Sequence, residues 1–175
     1  MSNVPSTSFQ SIRHFIFDVD GVLTDSTVWV MPAGEQVRRM NIKDGYALQL
    51  ALKKGYTITI LSGSTPSSVQ DRLQKLGITD IHFSVSDKAG FMKAHSQEKG
   101  WDLSQILFMG DDLPDLDAMS LVGLATCPKD AVSEILEQVA YVSPLTGGLG
   151  CVRDVIEQVL RHQGQWQHLS NISSR

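Results

Sequence analysis

Long apolar runs are missing from this 175-residue chain. None reaches the roughly 20 residues that a helix needs to cross a bilayer, so no membrane partner is expected. Cysteine is nearly absent: Cys127 and Cys151 are the only two, and nothing resembles the dense spacing of a secreted disulfide scaffold. Positive charge is also short, with 15 Lys and Arg against 19 Asp and Glu and a formal net charge of -4. Nucleic acid is therefore not the expected partner, because phosphate-backbone binding needs clustered cations. The opening residues lack the basic start and apolar centre of a secretory signal. With two idle thiols, this leads to the expectation of a cytoplasmic protein.

The composition present is 42% hydrophobic and 19% charged, that of a soluble globular domain. The expected layout is a flexible stretch over 1–11, one domain over 12–162 and a polar tail over 163–175. Apolar runs bounded by turn residues alternate with helix-period segments, the pattern of an α/β fold with a parallel sheet. Strands are expected over 12–19, 56–61, 81–85, 105–109 and 123–126, with a short one near Tyr141 and Val142. A hairpin is expected over 26–41, around Pro32-Ala33-Gly34-Glu35. Helices are expected from Asp44 as N-cap to near Gly55, from Ser64 or Thr65 to Gly77, from Asp87 to Gly100, and over 129–138 and 152–162. A shorter one follows Leu113.

Four features fall at the carboxyl ends of successive strands, where open α/β sheets place their ligands. They are Asp18-Val19-Asp20-Gly21, Leu61-Ser62-Gly63, Asp87-Lys88, and Gly110-Asp111-Asp112-Leu113-Pro114-Asp115. Each alone reads as a solvated turn or a helix cap. Together they bring carboxylates, a hydroxyl and a lysine to one edge. Clustered carboxylates repel unless a cation joins them, and hard oxygen donors select Mg²⁺. Phosphoryl transfer needs such a set: an in-line nucleophile, and positive charge with hydrogen-bond donors on the equatorial oxygens.

The order and spacing of these motifs resemble the haloacid dehalogenase superfamily of phosphatases. That resemblance implies a Rossmann-like parallel sheet with flanking helices, a hairpin inserted after the first strand, and catalysis by Asp18, Asp20, Ser62 and Lys88. Asp18 would be the nucleophile and Asp20 the proton shuttle. Mg²⁺ would be held by Asp18, the Asp20 carbonyl and Asp111, with Asp112 and Asp115 behind them. Ser62, Gly63, Ser64, Lys88 and Arg72 are the expected substrate contacts.

The intervals between motifs leave no room for a cap domain, so a neighbouring copy is expected to cover the site. Asp18 to Asp25, Asn41-Ile42-Lys43-Asp44-Gly45-Tyr46 and Gly147-Gly148-Leu149-Gly150-Cys151-Val152-Arg153 resemble the 3-deoxy-D-manno-octulosonate 8-phosphate phosphatase family. The resemblance implies a homotetramer joined through hairpins, with the tail near a neighbour's site, and a role in lipopolysaccharide precursor synthesis. One position departs: the family has Arg after the second-motif glycine, a related group acting on a nine-carbon sugar acid has Glu, and this chain has Ser64. A sugar acid carboxylate would then need other cations, from among Arg38, Arg39, Lys43, Arg72 and Arg153. Two alternatives of other classes are a silent phosphate-binding scaffold and a receiver domain. Receiver domains place the acceptor Asp on a later strand.

Overall fold

The computed structural model describes residues 6–170 and 172. Its centre is β1 (His14–Phe17), flanked by β4 (Thr57–Leu61) on one side and β6 (Ile106–Met109) on the other. β5 (Asp80–His82), β7 (Leu124–Cys127) and β8 (Tyr141–Val142) complete a six-stranded sheet in the order β5-β4-β1-β6-β7-β8, every pair parallel. Both faces of a parallel sheet are covered, which is why the central strands are largely apolar. Phe15 and Phe17 enter the core beneath α2 (Ile42–Lys53), α3 (Ser68–Lys75) and α7 (Cys151–His162). Ile16, alternating to the other side, enters the core beneath α4 (Lys88–Lys99) and α5 (Leu116–Met119). The chain leaves β1 toward β4 and later returns on the opposite side to β6, so the strand order reverses beside the carboxyl end of β1. That reversal opens the crevice in which α/β proteins bind ligands.

The hairpin strands β2 (Trp29–Val30) and β3 (Gln36–Val37) are shorter than expected and stand apart from the main sheet. Several boundaries also moved. Asn41, not Asp44, caps α2, its side chain accepting from the Lys43 amide. Ser67 caps α3 in place of Ser64 or Thr65. The helix expected over 129–138 shrinks to α6 (Ser133–Leu136), because the amides of Lys129 and Val132 donate to Leu145 and Asp111.

The described parts of both terminal stretches are more ordered than the sequence implied. Within the leading stretch expected to be flexible, α1 (Ser6–Ser11) forms and Phe9 is buried; residues 1–5 lie outside the described residues. The tail folds back on its own domain. Gln163 donates to the carbonyls of Phe9 and Ile12, Trp166 and Leu169 pack on the core, and Ile172 is buried. Arg153 and Arg161 lie 5.3 and 5.9 Å from the Trp166 ring. Residues 171 and 173–175 lie outside the described residues. Among the described residues, no helix is long and apolar enough to cross a membrane.

Asp44 instead joins two helices. It faces inward from the first turn of α2, and its Oδ1 accepts from the Arg153 amide at 2.8 Å. It thus caps α7, whose own N-cap is Gly150. Its Oδ2 is buried with no hydrogen-bond partner. Burial dominates, over the bonds from the α7 amides, and pushes its pKa up to about 6.

A folded-state pKa above the ordinary carboxylate value means that the native state binds the extra proton, so stability falls as pH rises from about 4 to about 6. The full effect is about 3 kcal/mol at roughly 1.4 kcal/mol per unit. Asp44→Asn should make this part of the profile shallower in denaturant melts, and parallel profiles for the two proteins would refute the assignment.

Candidate active site

β1 delivers Asp18 to the crevice, and the turn after it sets Asp20 beside it. Asp20 (φ -77°, ψ 116°) and Gly21 (φ 90°, ψ -10°) have the central dihedrals of a type II turn, which requires glycine at the second position. Gly21 is required on a second count: a Cβ there would stand 1.8 Å from Asp111 Oδ2. Thr24 ties the loop closed, its hydroxyl donating to the Val19 carbonyl and its amide to the same oxygen.

Lys88, the first residue of α4, is buried and joins two carboxylates. Its Nζ donates to Asp18 Oδ1 at 2.8 Å and to Asp115 Oδ1 at 2.5 Å. The other oxygen of Asp115 accepts from the Asp111 amide, so Asp115 positions both the lysine and the loop that carries Asp111. Asp112 caps the short turn over Leu113–Asp115 from an exposed position. Buried Ser62 completes the set, its hydroxyl 2.9 Å from that of Ser64.

Asp18, Asp20, Ser62, Gly63, Ser64, Lys88, Asp111, Asp112 and Asp115 all line one open cleft of about 520 Å³. Arg72 does not line it; on α3 it borders a separate cleft with Asp71 and Lys75. Lys43 and Arg153 border a third. Arg39 pairs with Asp25 at 2.6 Å. The remaining candidate cation, Arg38, reaches from the hairpin to grip both oxygens of Asp20, at 2.5 and 3.2 Å. Its alternating-strand context gave no sign of that pairing. Ser26, Val85, Ser86 and Pro114 also line the cleft and were not anticipated. Ser26 has a positive φ of 59° and lies 3.5 Å from Asp111 Oδ2.

The site holds more negative charge than Lys88 can balance. Oxygens of Asp18, Asp111 and Asp115 lie within 4.8 Å of one another. Burial first, then the neighbouring Asp18, Asp115 and Asp112, pushes Asp111 up to about 8. Burial likewise raises Asp18 to about 6 against the pull of Lys88. Burial acts to lower Lys88, but Asp18 and Asp115 outweigh it and raise its pKa. Hard oxygen donors with surplus negative charge fit a divalent cation of the Mg²⁺ type.

Such a carboxylate set around a lysine, at the switch point of this sheet and with no cap over it, defines a phosphoryl-transfer site of the haloacid dehalogenase type. No protein-family model matches the chain. It is 33% identical over 156 residues to the 3-deoxy-D-manno-octulosonate 8-phosphate phosphatase KdsC of Escherichia coli K12, covering 89% of this chain and 83% of that protein. A crystal structure of the Yersinia pestis phosphatase of the same name superposes with a TM-score of 0.90 at 30% identity, over 93% of this chain and 88% of that one. The Moraxella catarrhalis phosphatase, solved with magnesium, phosphate and the sugar acid, gives 0.89 at 29% identity over 92% of each chain. The chain belongs to the 3-deoxy-D-manno-octulosonate 8-phosphate phosphatase family, within the haloacid dehalogenase superfamily.

Because Asp18 and Asp111 have folded-state pKa values above the ordinary carboxylate value, metal-free protein should lose stability as pH rises from about 4 to about 8. Magnesium should restore it most strongly at the upper end, where both groups are ionised. Melting curves with chelator and with magnesium chloride across this range check the prediction. Superimposed curves would contradict it.

Proposed function

We propose that this chain hydrolyses 3-deoxy-D-manno-octulosonate 8-phosphate to the free sugar acid and phosphate, through a phosphoryl group carried on Asp18. The observation that supports it most is the buried Lys88 bridging Asp18 and Asp115 at the floor of the open cleft. Asp18 attacks phosphorus while Asp20 gives a proton to the departing sugar oxygen. Asp20 then takes a proton from the water that attacks phosphorus, and Asp18 is released with its own oxygen intact. Lys88 and the Ser62 hydroxyl hold the equatorial phosphoryl oxygens through the in-line displacement. Asp18, Asp111 and the Asp20 carbonyl would hold Mg²⁺, which supplies positive charge to the phosphoryl group. Arg38 grips both Asp20 oxygens, so it must yield one of them to the leaving group.

Ser64 leaves the second motif without the cation that the family offers a substrate carboxylate. Among the described residues, no Arg or Lys other than Lys88 lines the cleft, and we infer that a neighbouring copy supplies the positive partner for the sugar acid. The hairpin suits that assembly: Trp29 and Val30 are each 71% exposed, beside exposed Val28, Met31 and Val37. An apolar patch on so small an element is the kind of surface that oligomers cover. We infer a homotetramer acting in the cytoplasm on a lipopolysaccharide precursor.

Two experiments test this reading. Asp18→Asn should lower turnover at least about 10³-fold with the fold intact by circular dichroism, and substantial remaining activity would refute the covalent route. A panel of sugar acid phosphates, neutral sugar phosphates and nucleotides should favour the octulosonate ester, whereas activity confined to neutral sugars would overturn the substrate assignment. Separately, light scattering should give four copies of the 19.2 kDa chain. The double change Trp29→Glu with Val30→Glu should shift it toward smaller species and lower activity. A wild-type monomer with full activity would contradict the assembly.

A further inference from the structure

Asp80, His82 and His95 meet at the outer edge of the sheet, away from the phosphoryl site. Asp80 and His82 are two residues apart on β5 and so share one side of it. His95 comes from α4, which covers that side. His82 Nε2 lies 2.8 Å from Asp80 Oδ1, and His95 Nε2 lies 2.9 Å from Asp80 Oδ2. The Thr59 hydroxyl donates to Oδ2 at 2.6 Å and fixes the plane of the carboxylate. Phe91 stacks on His95 at 5.1 Å and contacts His82 at 4.5 Å, and Trp101 meets His95 edge-on at 5.5 Å. Both imidazoles are thus held by packing with one ring nitrogen each aimed at the same carboxylate.

A carboxylate shared by two histidines is a common ion-pair arrangement, and charge alone does not require more. The geometry goes further. The ligand atoms of all three residues lie within 4.8 Å of one another. A tetrahedral zinc with bonds near 2.0 to 2.1 Å sets its ligand atoms about 3.3 Å apart, between the 2.8 and 2.9 Å contacts to Asp80 and the 4.8 Å within which the whole set lies, so local side-chain rotations bring the three onto one ion. Buried His95 anchors the set, while His82 and Asp80 keep 31% and 24% of their side chains exposed, which leaves an entry path and room for water as a fourth ligand.

We propose that Asp80, His82 and His95 form a second metal site, for a divalent transition ion of the zinc type. Two imidazoles and one carboxylate suit zinc, cobalt or nickel, whereas magnesium prefers oxygen donors. Magnesium in excess therefore leaves this site free for zinc. A metal here pins the edge strand β5 to α4. The His82 carbonyl accepts from the Ser62 amide at 2.9 Å, so the metal also braces the strand end beside the phosphate-binding hydroxyl.

The test is zinc titration of the full chain in excess magnesium, read by calorimetry, with cobalt as a visible-absorption probe and Trp101 fluorescence as a local reporter. The expected result is one zinc per chain, a cobalt spectrum with nitrogen ligands, and a raised melting temperature. His95→Gln and His82→Gln should each weaken binding by more than about 100-fold, beyond what loss of an outer partner costs. Asp111→Asn should leave it intact. His82 is half-exposed, so its variant keeps the test valid if His95→Gln fails to fold. No uptake by wild type, uptake unchanged in both histidine variants, or uptake lost in Asp111→Asn would each overturn the proposal.

Discussion

The ammonium of Lys88 holds the site together. It sits between Asp18 and Asp115 with almost no solvent access, and removing it would leave two buried carboxylates uncompensated, which costs several kcal/mol. Its position is unfavourable for the helix that carries it. Lys88 begins α4, where the macrodipole disfavours a cation, and the two carboxylates offset that. A residue placed against local preference, in a buried three-group network, is one whose placement serves chemistry. The surplus charge it leaves on Asp111 is what makes the cleft receptive to a divalent ion.

Around that lysine, each loop makes one contribution. The Asp20-Gly21 turn lets Asp111 approach where any other residue would block it, and Thr24 keeps the turn closed. Asp115 connects Lys88 to the amide of Asp111. The hairpin enters through Arg38, whose hold on Asp20 links an element otherwise outside the sheet to a carboxylate that lines the cleft. Movement of the hairpin, or its burial against another copy, thereby bears directly on Asp20.

The parallel sheet and the four strand-end motifs were legible in the sequence because the central strands are largely apolar runs that end in polar turns. Asp18, Ser62, Lys88 and Asp111 were found that way, and their convergence follows from the sheet's order. Arg38 was visible as a cation but not as the partner of Asp20, since the pairing depends on how the hairpin folds back. Asp44 looked like an N-cap for its own helix, and only the packing of α2 on α7 revealed that it caps the other. The tail looked polar by composition, yet Trp166, Leu169 and Ile172 are enough to dock it. Asp80, His82 and His95 carried no motif, because the three meet only when α4 covers β5.

Central to the proposed reaction is that Asp18 carries the phosphoryl group while Lys88 holds it in place. Acid quenching during turnover, followed by borohydride reduction and peptide mass mapping, tests it most directly. Homoserine at position 18, formed by reduction of the aspartyl phosphate, is the expected result, with none in Lys88→Met. Turnover with no reducible aspartyl group, or with the label on Asp20, Asp111 or Asp115, would contradict it.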